Sequence, residues 1–155
     1  MWLARVDHGR QDRGGLTMRP VMQSKLWSPF GIHNGNCYAA CIASLLELPL
    51  WMVPPFEDMF GRGDWRERTD EWLGHFFGLR LVKKMGHPIE YLPEFYIACG
   101  QSARGVGHAV ICRDGQLVHD PHFSGTGIES VEYVRFLEPI NEAERKLVDL
   151  RLFEE

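Results

Sequence analysis

The spacing of hydrophobic residues changes once along the chain, close to Gly78, and this change constrains the fold more than any other feature. Before Gly78 the apolar residues recur at helical spacing, which predicts a helix of about 11 residues ending before Pro49 and a second from about Arg66 to Phe77. After Gly78 come short apolar runs separated by turn residues, which predict strands at Leu79–Lys83, Glu94–Cys99, His108–Arg113 and Leu117–Asp120. Helices followed by antiparallel strands predict an α+β fold.

The chain divides into a tail and one domain. Residues 1–24 show no sustained periodicity and predict a flexible N-terminal tail, which leaves residues 25–155 as a single domain. Residues 49–64 are rich in proline and glycine and predict a loop. The polar stretch Asn141–Phe153 carries leucines near helical spacing and predicts a peripheral C-terminal helix.

The size and the cysteine pattern exclude a disulfide scaffold. A chain of 155 residues, 45% of them hydrophobic, is large enough to form a core without disulfides or a structural metal. The cysteines have neither the CxxC pairs of a zinc site nor the density of a secreted scaffold, and they lie at Cys37, Cys41, Cys99 and Cys112. We therefore expect reduced thiols in a cytoplasmic protein, with Cys41, Cys99 and Cys112 as packing residues.

Charge and hydropathy exclude three further classes. The first residues are polar and basic and lack the apolar segment of a secretory leader. The longest apolar stretch, Leu48 to Phe56, is interrupted by prolines and is shorter than the ~20 residues that cross a bilayer, so we expect no membrane partner. The net charge is -4, and the basic residues of the first 26 positions form no run, so we expect no nucleic-acid partner either.

Cys37 is the first residue with a chemical signature. It follows the polar segment HNGN, in which Asn34 and Asn36 are good N-cap residues, and therefore lies in the first turn of the first predicted helix. Unpaired backbone N–H groups and the positive end of the helix dipole favour a thiolate at this position. Cys37 is thus a candidate nucleophile.

A reactive cysteine requires a base and a group that orients the base, and His108 and Asp120 are the candidates. A two-residue loop at Asp114-Gly115 between their strands would leave the two side chains on opposite sheet faces. A three-residue loop, 113–115, with Gly115 left-handed in a G1 bulge, would make them direct cross-strand neighbours. Asp-Gly suits both loops, so a catalytic pair predicts the bulged one.

The order of these residues resembles the papain-like superfamily of cysteine peptidases. A cysteine at a helix start precedes a strand-opening histidine by about seventy residues, and an Asp-Pro follows twelve residues later. Within the superfamily the chain is most similar to bacteriocin-leader (double-glycine) peptidases over roughly residues 34–127. This resemblance implies a papain-like fold, with the cysteine helix packed on an antiparallel sheet. It also implies cleavage of a peptide or isopeptide bond by Cys37 as nucleophile, His108 as base and then acid, and Asp120 as the orienting group.

Two positions depart from that family. The glutamine that donates to the oxyanion about six residues before the cysteine is replaced by Gly31, which leaves Asn36, Asn34 or Gln23 as candidate donors. The residues after Cys37 are Tyr-Ala rather than Gly-Pro. We expect the substrate cleft to be lined by aromatic residues of the predicted loop and by the glycine before His108, and the candidates are Trp51, Phe56, Trp65 and Gly107. No metal or organic cofactor is expected.

Three alternatives remain open from the sequence. Transglutaminase-like and deamidase-like enzymes share the order of Cys, His and Asp, so the group that receives the acyl chain can be an amine or water. A metal-binding protein could use His119, Asp120 and His122, although neighbouring strand residues point to opposite faces. A non-catalytic inhibitor or binding protein, phage-encoded or accessory, could keep the fold and bind a host protein through its aromatic loop.

Overall fold

The computed structural model describes residues 17–26, 35–143 and 146–147. Two α-helices come first, α1 at Cys37–Leu46 and α2 at Phe56–Phe77, and short 3₁₀ helices lie at Leu50–Met52 and Ile89–Tyr91. Five strands follow α2, and they are β1 Leu79–Met85, β2 Tyr96–Gln101, β3 Gly107–Arg113, β4 Gln116–His119 and β5 Tyr133–Pro139. The α+β class predicted from the sequence is confirmed.

The five strands form one antiparallel sheet in the order β1-β5-β2-β3-β4. The last strand in the sequence, β5, therefore lies inside the sheet, between β1 and β2. The sequence pattern did not predict β5, in which Arg135 interrupts the apolar residues. The fold buries this arginine, and its guanidinium lies over the rings of Tyr38, Trp65 and Tyr133 at 5.4 to 5.8 Å from the ring centroids.

Each face of the sheet has its own hydrophobic cluster. On the first face α1 packs against β3 and α2 against β1, and the buried strand residues include Leu81, Ile97, Cys99, Ala109 and Ile111. On the second face the buried residues are Tyr96, Ala98, Val110, Cys112, Leu117 and Val134, and residues from the connecting segments pack over them. All four cysteines are buried free thiols, which agrees with the packing role expected for Cys41, Cys99 and Cys112.

Helix α2 begins earlier than its periodicity predicts. It starts at Phe56 rather than Arg66, so the prediction of a loop is wrong for residues 56–64. The ring of Phe56 lies 6.3 Å from that of Phe60 and 6.0 Å from that of Trp72, so the first turns of the helix have an aromatic anchor. These aromatic contacts within α2 offset the low helix propensity of the glycines in this part of the sequence.

Residues 17–24, predicted as part of the flexible tail, lie against the domain. The N–H of Val21 donates to a serine hydroxyl of α1 at 3.0 Å, and its carbonyl accepts from His119 Nε2 at 2.7 Å. The N–H of Gln23 donates to the carbonyl of Pro121 at 3.0 Å. This segment therefore joins α1 to the end of β4. Residues 1–16 lie outside the described residues.

Some helical residues follow the sheet. Residues 142–143 and 146–147 are helical and belong to the predicted helix Asn141–Phe153, whose other residues from 144 onward lie outside the described residues. Within the described ranges, no helix combines the length and the apolar composition that a bilayer crossing requires.

Candidate active site

Strands β3 and β4 are joined by a two-residue turn at Asp114-Gly115. Arg113 pairs with Gln116, and the two turn residues have φ angles of 51° and 77°. Positive φ at both positions is typical of a type I′ turn. The prediction of a three-residue bulged loop is therefore wrong. With uninterrupted pairing beyond this turn, His108 and Asp120 would lie on opposite faces of the sheet.

A β-bulge inside β4 brings the two residues back to one face. The register slips between Leu117, which pairs with Cys112, and His119, which leaves Val118 as an extra residue on β4. One inserted residue exchanges the faces of all residues beyond it. Asp120 therefore lies on the same side of the sheet as His108, as the catalytic pair requires, although the bulge lies in the strand and not in the turn.

His108 and Asp120 form a buried hydrogen-bonded pair. The distance from His108 Nε2 to Asp120 Oδ1 is 2.6 Å, and both residues are buried. The same carboxylate accepts the backbone N–H of His122 at 2.9 Å and that of Gly127 at 2.7 Å. Burial acts to raise the pKa of Asp120, but the hydrogen bond from His108 and those from the two backbone N–H groups outweigh it and lower the pKa.

The charge on Asp120 determines the tautomer of His108. An ionised carboxylate only accepts hydrogen bonds, so Nε2 of His108 must carry the hydrogen that it donates. In the neutral ring Nδ1 then has the lone pair, and it is the atom of this imidazole that can accept a proton. Asp120 thus orients His108 as a base.

Cys37 is the first residue of α1, with 9% of its surface exposed. Its sulfur accepts hydrogen bonds from the backbone N–H groups of Ala109 and Tyr38. Ala109 follows His108 in β3, so the start of α1 meets the start of the strand that carries the histidine. The structure therefore brings the thiol to the same end of the sheet as the buried pair.

The electrostatics of Cys37 differ from the thiolate expected at a helix start. Burial raises the pKa of the Cys37 thiol well above its ordinary value, and the nearby carboxyl of Glu57 raises it further. The hydrogen bonds from Ala109 and Tyr38 act in the opposite direction but do not offset the burial. Burial therefore favours the protonated form of the Cys37 thiol.

Cys37 and His108 line one cavity of about 190 Å³. The remaining lining residues come from the segment 23–26, from the start of α1 and from the loops around β3, and they are Gln23, Leu26, Gly35, Arg104, Val106, Gly107 and His122. The cavity is thus bounded by the thiol, by the imidazole and by the segment that joins α1 to β4. A substrate in this cavity would contact the thiol and the imidazole together.

The three candidate oxyanion donors have different surroundings. Gln23 lines the cavity, and its Nε2 donates one hydrogen to the carbonyl of Lys25 at 2.9 Å. Asn36 is engaged elsewhere, because its Oδ1 accepts the N–H groups of Ser24 and Lys25 and its Nδ2 donates to the Ser24 hydroxyl. Asn34 lies outside the described residues. Gln23 is therefore the donor that the geometry favours.

The candidate cleft residues are divided between different places. Gly107 lines the cavity with Cys37. Trp51 is 83% exposed and lines a separate cavity together with Asn36. Trp65 is 6% exposed and packs against the ring of Tyr38, and Phe56 packs into the aromatic contacts of α2. Of the predicted set, only Gly107 shares a cavity with the thiol.

The metal alternative finds no support in the described part of the chain. No group of three or more His, Cys, Asp or Glu side chains there is arranged to hold a metal ion. His119 donates to the carbonyl of Val21, on the sheet face opposite to Asp120. His122 lies in the turn segment after Pro121, and its buried side chain is part of the wall of the cavity.

Two residues near the site have no signal in the sequence. Glu57 follows Cys37 by twenty residues and belongs to α2, and it reaches the start of α1, where it accepts the N–H of Tyr38. Arg104 precedes β3 and lines the cavity. Both are charged residues outside any motif, and charge alone does not distinguish them from other surface residues.

Comparison of the chain with protein-family models, with curated protein sequences and with solved structures finds no match. Function is therefore inferred from the chemistry and the placement of the residues described above.

Proposed function

We propose that the chain is a papain-like thiol hydrolase with Cys37, His108 and Asp120 as its triad. It cleaves an amide bond, either a peptide or an isopeptide bond, in a peptide or protein substrate. The buried hydrogen bond between His108 and Asp120, next to a thiol at a helix start, is the observation that carries the proposal. The arrangement meets the general requirement of a nucleophile, a base and a group that orients the base.

The order of the secondary-structure elements supports the papain-like assignment. The cysteine helix α1 packs against β3, which carries His108, and the neighbouring strand β4 leads into Asp120. A papain-like enzyme places its nucleophile and base in this way, on a helix and a sheet that face each other. The residue pattern from Cys37 onward resembles that of the family. The segment before Cys37 does not, because Gly31 stands where the family has its glutamine, and Gln23 is the candidate donor instead.

The raised pKa of Cys37 favours activation at the time of reaction over a preformed ion pair. The sulfur attacks the substrate carbonyl carbon while its proton moves to Nδ1 of His108, and Asp120 stabilises the imidazolium that forms. The oxyanion is held by the N–H of Cys37, which has no acceptor within α1, and by the second Nε2 hydrogen of Gln23. Both donors belong to the wall of the cavity.

Collapse of this intermediate breaks the carbon–nitrogen bond. The leaving amine takes the proton from His108 and departs, and the acyl group stays on Cys37 as a thioester. A water molecule then attacks the thioester carbon and gives its proton to Nδ1 of His108. Cleavage of the carbon–sulfur bond returns that proton to Cys37 and releases a carboxylic acid.

The first experiment measures the rate at which iodoacetamide alkylates Cys37, with mass spectrometry to identify the modified cysteine. We expect alkylation of the wild-type protein at Cys37 and a fall of 100-fold or more in His108→Ala, about the contribution of a general base. Cys112→Ala is the matched control, because Cys112 is a buried thiol in the cluster on the second face. Equal rates in the wild type and in His108→Ala, with unchanged circular dichroism, would contradict the proposal.

A second experiment identifies the acyl acceptor. Incubation with a peptide library in water enriched in oxygen-18 is expected to produce new carboxyl ends that carry the label, and Cys37→Ala is expected to produce none. Products joined to an added amine, without the label, would instead show acyl transfer.

A further inference from the structure

The wall of the cavity next to His108 contains a group of polar side chains that the proposed mechanism does not use. Arg104 and His122 both line this cavity. The ring of His122 lies 6.0 Å from that of His108, and Arg104 Nη1 donates to Ser124 Oγ at 3.1 Å. Ser124 also contacts His122, so the three residues form one cluster.

The hydrogen bonds of His122 determine its tautomer. The backbone N–H of Ser124 donates to His122 Nδ1 at 3.0 Å, and a backbone N–H can only donate. Nδ1 therefore has the lone pair, and Nε2 carries the hydrogen. Burial and the charge of Arg104 lower the pKa of His122, which keeps the ring neutral. With 6% of its surface exposed, His122 gives the cavity wall a neutral N–H donor.

Arg104 supplies the charge in this wall. Among the described residues that line the cavity, it is the one side chain with a permanent charge. The Asp120 carboxylate lies behind His108, and its oxygens already accept the three hydrogen bonds described above. Arg104 is exposed, and its hydrogen bond to Ser124 keeps the guanidinium next to His122, with its other N–H groups available to a ligand.

We infer that Arg104 and His122 form a subsite for a carboxylate, so that the amide bond attacked by Cys37 lies next to an acidic side chain or next to the terminal carboxylate of the substrate. This inference rests on the proposed function. A guanidinium fork together with an imidazole N–H matches the two oxygens of a carboxylate. A lysine or a protonated histidine alone would recognise a carboxylate less specifically.

The first test compares two alkylating reagents that differ by one charge. Iodoacetate carries a carboxylate next to its reacting carbon, and iodoacetamide carries a neutral amide at the same place. We expect the ratio of iodoacetate to iodoacetamide rates at Cys37 to exceed the ratio for free cysteine by about tenfold, and to fall to that ratio in Arg104→Gln. Arg80→Gln is the matched control, because it removes the same charge from β1 at the far edge of the sheet. A ratio that Arg104→Gln leaves unchanged would overturn the subsite.

The second test does not depend on a reactive thiol. Binding of N-acetylaspartic acid α-amide and of N-acetylalanine to Cys37→Ala protein is followed through the ring resonances of His108, which lies 6.0 Å from the ring of His122 and is present in every variant of this test. A saturable shift with the first compound identifies an acidic side chain as the ligand, and with the second a terminal carboxylate. We expect Arg104→Gln to weaken the binding at least tenfold and His122→Gln, which keeps an N–H donor, to weaken it less than His122→Ala.

The two proposals fail in different ways. If carboxylate binding depends on Arg104 but the alkylation rate of Cys37 does not depend on His108, the subsite is supported and the thiol hydrolase is contradicted. If alkylation depends on His108 but neither carboxylate compound binds, the thiol hydrolase is supported and the subsite is contradicted.

Discussion

Glu57 and Asp120 are two carboxyl groups near the ends of the same site, and their pKa values are shifted in opposite directions although burial acts to raise both. At the α1 end, burial raises the pKa of Glu57 to about 8, although the N–H of Tyr38 and the charges of Arg135 and Arg66 act to lower it. At the β4 end, burial also acts to raise the pKa of Asp120, and there the net shift is downward.

Hydrogen-bond geometry explains the difference between these two regions. Three donors, one of them the His108 ring, point at the two oxygens of Asp120 at 2.6 to 2.9 Å. At Glu57, burial is the larger effect, and the carboxyl in turn raises the pKa of the Cys37 thiol beside it. The β4 end of the site thus holds a fixed negative charge, and the α1 end holds groups that keep their protons.

The largest effect is expected from removing the bulge that places Asp120 among its donors. Deletion of Val118 restores continuous pairing after the Asp114-Gly115 turn and moves Asp120 to the other face of the sheet. We expect the turnover of any substrate to fall about 10⁴-fold, the effect of losing the orienting carboxylate of a triad, and the alkylation rate of Cys37 to fall as far as in His108→Ala.

Two further variants separate this effect from unfolding. Val118→Ala keeps the extra residue and is expected to retain a rate close to that of the wild type. Asp120→Asn leaves the backbone unchanged and is expected to lose as much activity as the deletion. A deletion variant that folds, by circular dichroism, and reacts at the wild-type rate would show that the bulge does not position Asp120.

The second prediction concerns stability at the other end of the comparison. The folded protein keeps the Glu57 proton up to about pH 8, whereas the unfolded chain releases it near the ordinary value of 4.5. Between these values the folded state binds more protons, so the contribution of Glu57 is fully present below pH 4.5 and is lost as the pH rises to 8. The slope for one such group is at most roughly 1.4 kcal/mol per pH unit.

Glu57→Gln removes this pH dependence. Urea denaturation at pH 5, 6.5 and 8 is expected to show a free energy of unfolding that declines more in the wild type than in Glu57→Gln. Glu67→Gln, at an exposed position of the same helix, is the control and is expected to follow the wild type. Parallel curves for wild type and Glu57→Gln would mean that Glu57 ionises at the same pH in the folded and unfolded states.

The smallest effect is expected at the turn between β3 and β4. Asp114 has a positive φ of 51°, which glycine adopts without strain, although glycine also costs conformational entropy. Asp114→Gly is therefore expected to change the free energy of unfolding by less than ~1 kcal/mol and to leave the alkylation rate of Cys37 unchanged. A large loss of reactivity would show that the turn, and not the bulge at Val118, sets the position of Asp120.

Much of the fold could be predicted from local patterns. The apolar spacing after Asn36 predicts α1, and four runs after Gly78 predict the first four strands, because burial of one face leaves a periodic signal in the sequence. Strand β5 and the first turns of α2 could not be predicted in this way. Arg135 in β5 and the glycines in α2 are unfavourable by local preference. Rings from other elements stabilise Arg135, and the contact between Phe56 and Trp72 within α2 stabilises the first turns of that helix.

For the site, the sequence by itself determined which residue types are available and that Cys37 begins a helix, since apolar periodicity is local. Asn36 occupies the N-cap position, but its side chain makes no capping hydrogen bond. Only the tertiary structure decided that His108 and Asp120 meet, because a single extra residue in β4 exchanges sheet faces without changing the pattern of residue types. The tertiary structure also decided which groups are charged. The pKa of Cys37, Glu57 and Asp120 depends on burial and on the donors that surround each group, and neither is written in the neighbouring residues.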